Sequence, residues 1–274
     1  MIMYSKEDIL KKLKTYDDDP NFHFDEPSHT YTYGDAIFTS VTTFLSRFHK
    51  SFDKEFMSKR TAQKENVTQE EILKRWKDKS DKACDLGTEV HLWIENYING
   101  IYQKLPTDLE VISRINKFNV LYGEFLHKLE PIKCEQMIFS KDRLIAGMID
   151  SLFLYKGNVF IIDHKTNGKM TTDEDTKYNK LLYPFSDYWE NSLNKYSIQQ
   201  SIYALILEEL GIDVKAMYLL YIGPDKPGKL YKCLDMRTEL KEFFKKEKAK
   251  EERRSDNINH ILKGDDIDDI GLDI

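Results

Sequence analysis

Cysteine is scarce in this chain. Cys84, Cys134 and Cys233 stand far apart among 274 residues. Their odd number and wide spacing exclude a disulfide framework and a zinc-finger spacing, and point to a reducing, intracellular (cytoplasmic) setting. Long apolar runs are missing too. No stretch reaches the roughly 20 residues of a membrane span, and the opening MIMYSKEDILKK lacks the apolar centre of a signal peptide. No membrane partner is expected. A basic excess is also absent: the net charge is −6, and five aspartates between Gly264 and Ile274 account for all but one of those charges. The body is thus near neutral, so contact with a polyanion would have to rest on local basic patches. No internal repeat is visible. A chain of this length can bury one good core with helical additions.

What is present centres on Glu135–Thr166, EQMIFSKDRLIAGMIDSLFLYKGNVFIIDHKT. β-Branched and aromatic runs bounded by turn residues predict three consecutive strands, 135–140, 144–155 and 159–165, the last two joined at Gly157-Asn158. That turn puts Asp150 opposite Lys165 and Leu152 opposite Asp163. Asp163 and Lys165 then share a face, with Asp150 as a diagonal neighbour on it. Two carboxylates and an ammonium so gather on a sheet that is otherwise Ile, Leu, Val and Phe. Unpaired buried charges are costly, and a hard divalent cation would resolve the conflict by taking carboxylate oxygens. A lysine there can orient a water or stabilise charge on a phosphate. The alternative is a structural salt-bridge cluster.

Around this centre the sequence predicts an amphipathic helix over 1–16 and an aromatic hairpin over 21–33. A helix from Val41 to about Lys50 follows, capped by Thr39 or Ser40. The aromatic hairpin with Arg47, His49, Lys50, Lys54, Lys59 and Arg60 reads equally as a nucleic-acid contact or as a mini-core beside a solvated helix face. Thr68 and Glu71 form a capping box for a helix to Lys79, and Ser80 opens another to Asn99. That second helix carries GTEVHLWIE, with Gly87 at an unfavourable mid-helix position and His91 and Glu95 on one face. Taken alone, His91 is a packed or surface histidine more often than a ligand. A second capping box, Thr107 and Glu110, opens a helix to Leu129.

Past Thr166 a long polar and aromatic segment to Trp189 reads as a lid or binding loop, with local packing around Pro184 as the alternative. A helix over 193–210, in which Gln199 and Tyr203 share a face, a buried strand over 214–222, its partner over 230–234 and a charged helix over 238–262 complete the body. The tail GDDIDDIGLDI reads as disordered and solubilising, or as an acidic tip recruiting a replication or recombination protein.

Gly147, Ile149 and Asp150, a short hairpin, then Ile162, Asp163, Lys165 and Thr166 resemble the signature of the PD-(D/E)XK nuclease superfamily. The likeness is strongest to its RecB-type exonuclease branch, which includes phage nucleases and the mitochondrial genome maintenance exonuclease. HTYTYGDAIFTSVTTFLSRF, the Gly87-Thr88/His91/Glu95 helix and KYSIQQSIYALILEELG extend it in order from about Tyr31 to Ile222. The resemblance implies a restriction-endonuclease-like α/β core, a central mixed sheet flanked by helices with helical N- and C-terminal additions. It implies one domain over 1–263, in which 1–60 would contact DNA, followed by the tail 264–274. It implies Mg²⁺ or Mn²⁺, one ion or two, on His91, Asp150, Asp163 and the backbone carbonyl of His164. Lys165 would position water or stabilise the phosphorane, and Glu135 would act as an active-site acid or as a supporting one behind it, with a simple exposed strand glutamate as the alternative. Gln199, Tyr203, Thr166 and Lys169 would contact substrate, with Gln200 facing elsewhere. Some relatives carry an iron–sulfur cluster on four cysteines; this chain cannot supply four, so none is expected. The implied activity is a DNA exonuclease acting on single strands or DNA ends, in the host cytoplasm if phage-encoded. A non-catalytic DNA-binding accessory protein and an endonuclease are the alternatives.

Overall fold

A computed structural model describes residues 3–224 and 226–262, with side chains to 255. The acidic tail lies outside the described residues. In chain order the elements are α1 (Lys6–Asp17), β1 (Phe22–Asp25), β2 (Thr30–Tyr33), β3 (Ala36–Ser40), α2 (Val41–Leu45), α3 (Lys54–Glu65), α4 (Gln69–Ile98), α5 (Leu109–Glu124), β4 (Glu130–Ser140), β5 (Ile145–Tyr155), β6 (Asn158–Lys165), α6 (Ser192–Glu209), β7 (Val214–Tyr221), β8 (Lys229–Lys232) and α7 (Arg237–Leu262).

The strands form one eight-stranded mixed sheet in the order β1-β2-β3-β5-β6-β7-β8, with β4 on the other side of β5. β3 with β5 and β6 with β7 are parallel; the remaining pairs are antiparallel. Helices cover both faces, and alternation along β6 divides the core accordingly. Val159 and Ile161 join the cluster containing Ile9, Phe44, Ile202 and Leu240 of α1, α2, α6 and α7. Ile162 joins Val90, Ile94, Ile115 and Phe118 of α4 and α5. No helix among the described residues is long and apolar enough to cross a membrane.

Local chemistry explains most boundaries. Ser5 and Asp8 close a capping box at α1, and Thr68 and Glu71 close the expected one at α4. The expected break at Ser80 does not occur. No Gly or Pro interrupts Gln69–Leu86, and Lys77 pairs with Asp81 at 2.6 Å across the junction, so the helix runs on for 30 residues. α5 is capped by Asp108 rather than by a Thr107 box; its carboxylate accepts from the Glu110 and Val111 amides. The helix expected to reach Lys50 stops after Leu45 and a single 3₁₀ turn, Ser46–Phe48. β3 is a strand that the sequence does not announce, and β4 begins at Glu130, five residues early.

The β5–β6 turn is Lys156-Gly157, both at positive φ, the geometry of a tight hairpin turn that follows strand twist. Tyr155 therefore pairs with Asn158 and Ser151 with Ile162. The register differs by two residues from the expected one, and because side chains alternate with period two, each stays on its expected face.

Candidate functional site

Strand β5 is shared between three partners, and its partners change at the site. Thr39 and Ser40 of β3 lie beside Ile145 and Ala146, while β6 pairs along the same edge only from Ser151 onward. Gly147–Asp150 thus face a fork where β5 and β6 part. On the opposite edge the β4 ladder steps from Cys134↔Ser151 to Gln136↔Ile149, and Glu135 between them adopts φ 47°, uncommon for a residue with a Cβ. Asp150 is thereby released from regular pairing on both sides. Its Oδ2 accepts the His164 amide at 2.7 Å, taking the place of a strand carbonyl.

Gly147 opens the same space. A Cβ there would lie 2.7 Å from Cε1 of Tyr203 and 3.1 Å from Cγ2 of Val41, so only glycine lets α6 and α2 approach the fork.

His91 projects from α4 onto this fork. Its Nδ1 is 3.6 Å from Asp150 Oδ2, and its Nε2 lies 3.1 Å from the His164 carbonyl oxygen. The His164 ring Nδ1 is 3.9 Å from the same Asp150 oxygen. One ligand atom each from His91, Asp150 and His164 fall within 4.8 Å of one another. The His164 imidazole is buried, and burial, reinforced by His91, pushes its pKa down to about 3. It is neutral at working pH, the form that ligates metals, and its buried Nδ1 has no hydrogen-bond partner. A carboxylate, an imidazole, a backbone carbonyl and an orphaned ring nitrogen fit a divalent cation.

Asp163 and Lys165 face α6, on the other side of the strand from the His164 ring. Lys165 Nζ lies 2.6 Å from Asp163 Oδ2 and 4.5 Å from the Tyr196 ring centroid. Burial raises the proton affinity of Asp163 and the Lys165 charge opposes it. Burial alone would also discharge Lys165, but Asp163 and then Asp150 hold its pKa above the ordinary value. The 2.6 Å contact favours the ammonium–carboxylate form. Glu135 is pushed up to about 8 by burial, then by Asp150, Glu95 and Asp163. Asp150, Glu95 and Asp163 thus all bear on Glu135, and the partly exposed Lys165 answers Asp163 and Asp150.

The expected substrate-contacting residues separate. Thr166 is half-buried, its Oγ1 3.4 Å from where a Cβ on Gly87 would stand, an ordinary contact that does not require glycine there. Lys169 is exposed. Gln199 donates to the Tyr203 hydroxyl at 3.0 Å, and both are buried. Gln200, expected to face elsewhere, instead donates to Asp163 Oδ1 at 2.9 Å and is fully buried. Ser197, Gln200 and Ser201 are buried polar residues of α6 and need partners, but Gln199 is buried as well, so the sequence alone does not single Gln200 out.

The rings of the aromatic hairpin pack into the core. Phe22, Tyr31 and Phe38 are buried with Phe139, and Arg47 is held by Glu247 at 2.6 Å and lies over Phe44 and Phe243. In the segment after Thr166, Met170, Leu181 and Phe185 are buried, whereas Tyr178 is 90% exposed. Packing thus holds much of this loop and leaves a few aromatic rings in solvent.

No model of a protein family matches the chain. It is similar to an ATP-dependent helicase/nuclease subunit from Clostridium beijerinckii, with 27% identity over 175 residues, 62% of this chain and 12% of that protein. The chain therefore matches only a small part of that relative's length.

Proposed function

We propose that this chain is a metal-dependent DNA nuclease of the PD-(D/E)XK type, on a restriction-endonuclease-like core that extends as one domain to residue 263. The observation that carries the proposal is the fork, where Asp150, released from regular pairing, lies against His91 and His164 and also bears on the Asp163–Lys165 pair. The similarity to a protein named as a helicase/nuclease subunit supports it.

His91, Asp150 and the carbonyl or ring of His164 would hold Mg²⁺ or Mn²⁺, with Asp163 on the neighbouring face. When bound, such an ion supplies Lewis-acid chemistry, drawing charge from a phosphodiester and making water a better nucleophile. Lys165 then places a positive charge where the phosphoryl oxygens gain negative charge. Gln200 fixes the Asp163 carboxylate, and Asp163 fixes Lys165, so the ammonium needs no reorganisation during reaction. Glu135, protonated below about pH 8 in the metal-free protein, supplies an acid beside this charge. Tyr203, locked by Gln199, shapes the floor rather than touching DNA.

We read the activity as exonucleolytic, on single strands or duplex ends. The test is cleavage of end-labelled linear single-stranded, linear duplex and closed circular DNA with Mg²⁺, Mn²⁺ or EDTA. Metal-dependent loss of linear DNA with circles spared is expected, and His91→Ala should abolish it. Cleaved circles would make the enzyme an endonuclease. DNA bound but uncut under every condition would leave a binding module and remove the catalytic reading.

A further inference from the structure

On the buried face of α5 one residue carries a charge. Arg114 stands among Val111, Ile115, Phe118 and Leu121 and is 6% exposed. Its Nη1 makes one long bond, 3.3 Å, to the Glu110 carbonyl, and its Nε is buried with no hydrogen-bond partner. Among the described residues it makes no ion pair; the nearby Glu110 carboxylate is taken by Lys82 at 2.8 Å. A guanidinium stays charged in proteins, and a buried charge with so little compensation is costly.

Arg114 lines a cleft of about 490 Å³ between α4, α5 and the segment Thr166–Gly168. That segment leaves β6 directly after Lys165, so the cleft opens beside the fork. Asn167 in its wall has a second orphan, a buried Oδ1 with no donor, while its Nδ2 is spent on the Lys169 carbonyl at 2.8 Å. Leu86 and Ala83 give an apolar wall, and Lys79 and Lys82 stand exposed at the mouth. An unfilled cationic donor and an unfilled acceptor in one apolar-walled cleft call for a ligand with an anionic acceptor at one end and an N–H donor at the other. The volume lies in the range of small-ligand pockets.

We propose that this cleft is a nucleotide subsite, with a phosphate ester on Arg114 and the donor edge of the attached base on Asn167. The inference rests on the nuclease reading and adds to it a place that grips the strand one step away from the scissile bond. The phosphate comes either from the bound strand or from a released mononucleotide.

Cys84 supplies a probe on the unaltered protein, because it lines the cleft and is exposed while Cys134 and Cys233 are buried. The rate at which iodoacetamide alkylates Cys84 is measured in EDTA with a short single-stranded oligodeoxynucleotide, with dAMP, and with inorganic phosphate. Slowing of about tenfold by a saturating oligonucleotide is expected from charge-assisted contacts. Slowing by dAMP as well supports the same chemistry and adds a product-binding role. An unchanged rate with the oligonucleotide bound, as judged by fluorescence anisotropy, overturns the subsite and leaves the nuclease reading intact. Absence of both binding and cleavage would overturn the nuclease reading instead. Arg114→Gln should weaken oligonucleotide binding about tenfold and Arg114→Lys less. Should either variant melt early, the alkylation footprint on the natural protein still decides.

Discussion

At the scale of single residues, the site depends on charges that answer one another. Lys165 and Asp163 are both almost buried and 2.6 Å apart, so removing either strands its partner. Asp163→Ala is expected to cost roughly 3–5 kcal/mol of stability, the usual penalty for leaving half of a buried pair. The Asp163→Ala/Lys165→Ala double variant should cost less than the sum of the single ones, which denaturant melts of the four proteins would measure. Additive losses would show that the two charges do not interact. Glu135 gives a pH signature. Its folded pKa, about 8, lies above the ordinary 4.5, so between these values the folded state holds a proton that the unfolded state has lost. Stability then falls as pH rises through this window. In EDTA the melting temperature of the natural protein should drop from pH 5 to pH 8, and Glu135→Gln should flatten that slope. Equal slopes would remove Glu135 from the cluster.

At the scale of elements, the glycines separate contacts that matter from those that do not. A methyl group at Gly147 would meet Tyr203 at 2.7 Å, yet one at Gly123 on α5 meets nothing within 4 Å. Gly147→Ala should therefore destabilise by about 1–3 kcal/mol through overpacking, and should lower activity by moving α6. Gly123→Ala should be neutral or stabilise by about 0.5 kcal/mol from helix propensity. Thermal melts of both variants test this, and the same sign for both would contradict it. These elements also show what the sequence makes legible. The central hairpin, the His91 helix and the Gln/Tyr helix are readable because period two and period 3.6 fix which side chains share a face, and a register error of two residues leaves the faces unchanged. What is not readable depends on distant partners. β3 is five residues long and owes its parallel pairing to β5, about a hundred residues later. Gln200 differs from Gln199 only in the side of α6 it occupies, and α6 is buried nearly all round, so no apolar stripe marks which glutamine faces Asp163.

At the scale of the whole molecule, the sheet brings together residues from four separate stretches, His91, Glu135, Asp150 and Asp163–Lys165, and the cation they fit would join α4 to the β5–β6 fork. Only the folded chain assembles these groups, so a bound ion should stabilise folding by RT ln(1 + [M]/Kd), about 2.7 kcal/mol at a hundredfold excess over Kd. Adding Mn²⁺ or Mg²⁺ to metal-free protein should raise the melting temperature, and EDTA should reverse it. The gain should grow as pH rises from 5 to 8, because Glu135, whose pKa burial pushes up to about 8, loses a proton and adds negative charge beside the ion. His91→Ala should abolish the gain, since it removes the ligand that ties α4 to the fork, while Lys169→Ala, exposed and apart from the trio, should keep it. An equal rise in His91→Ala would place the ion elsewhere in the molecule, and no rise in the natural protein would leave the four carboxylates as a structural charge cluster.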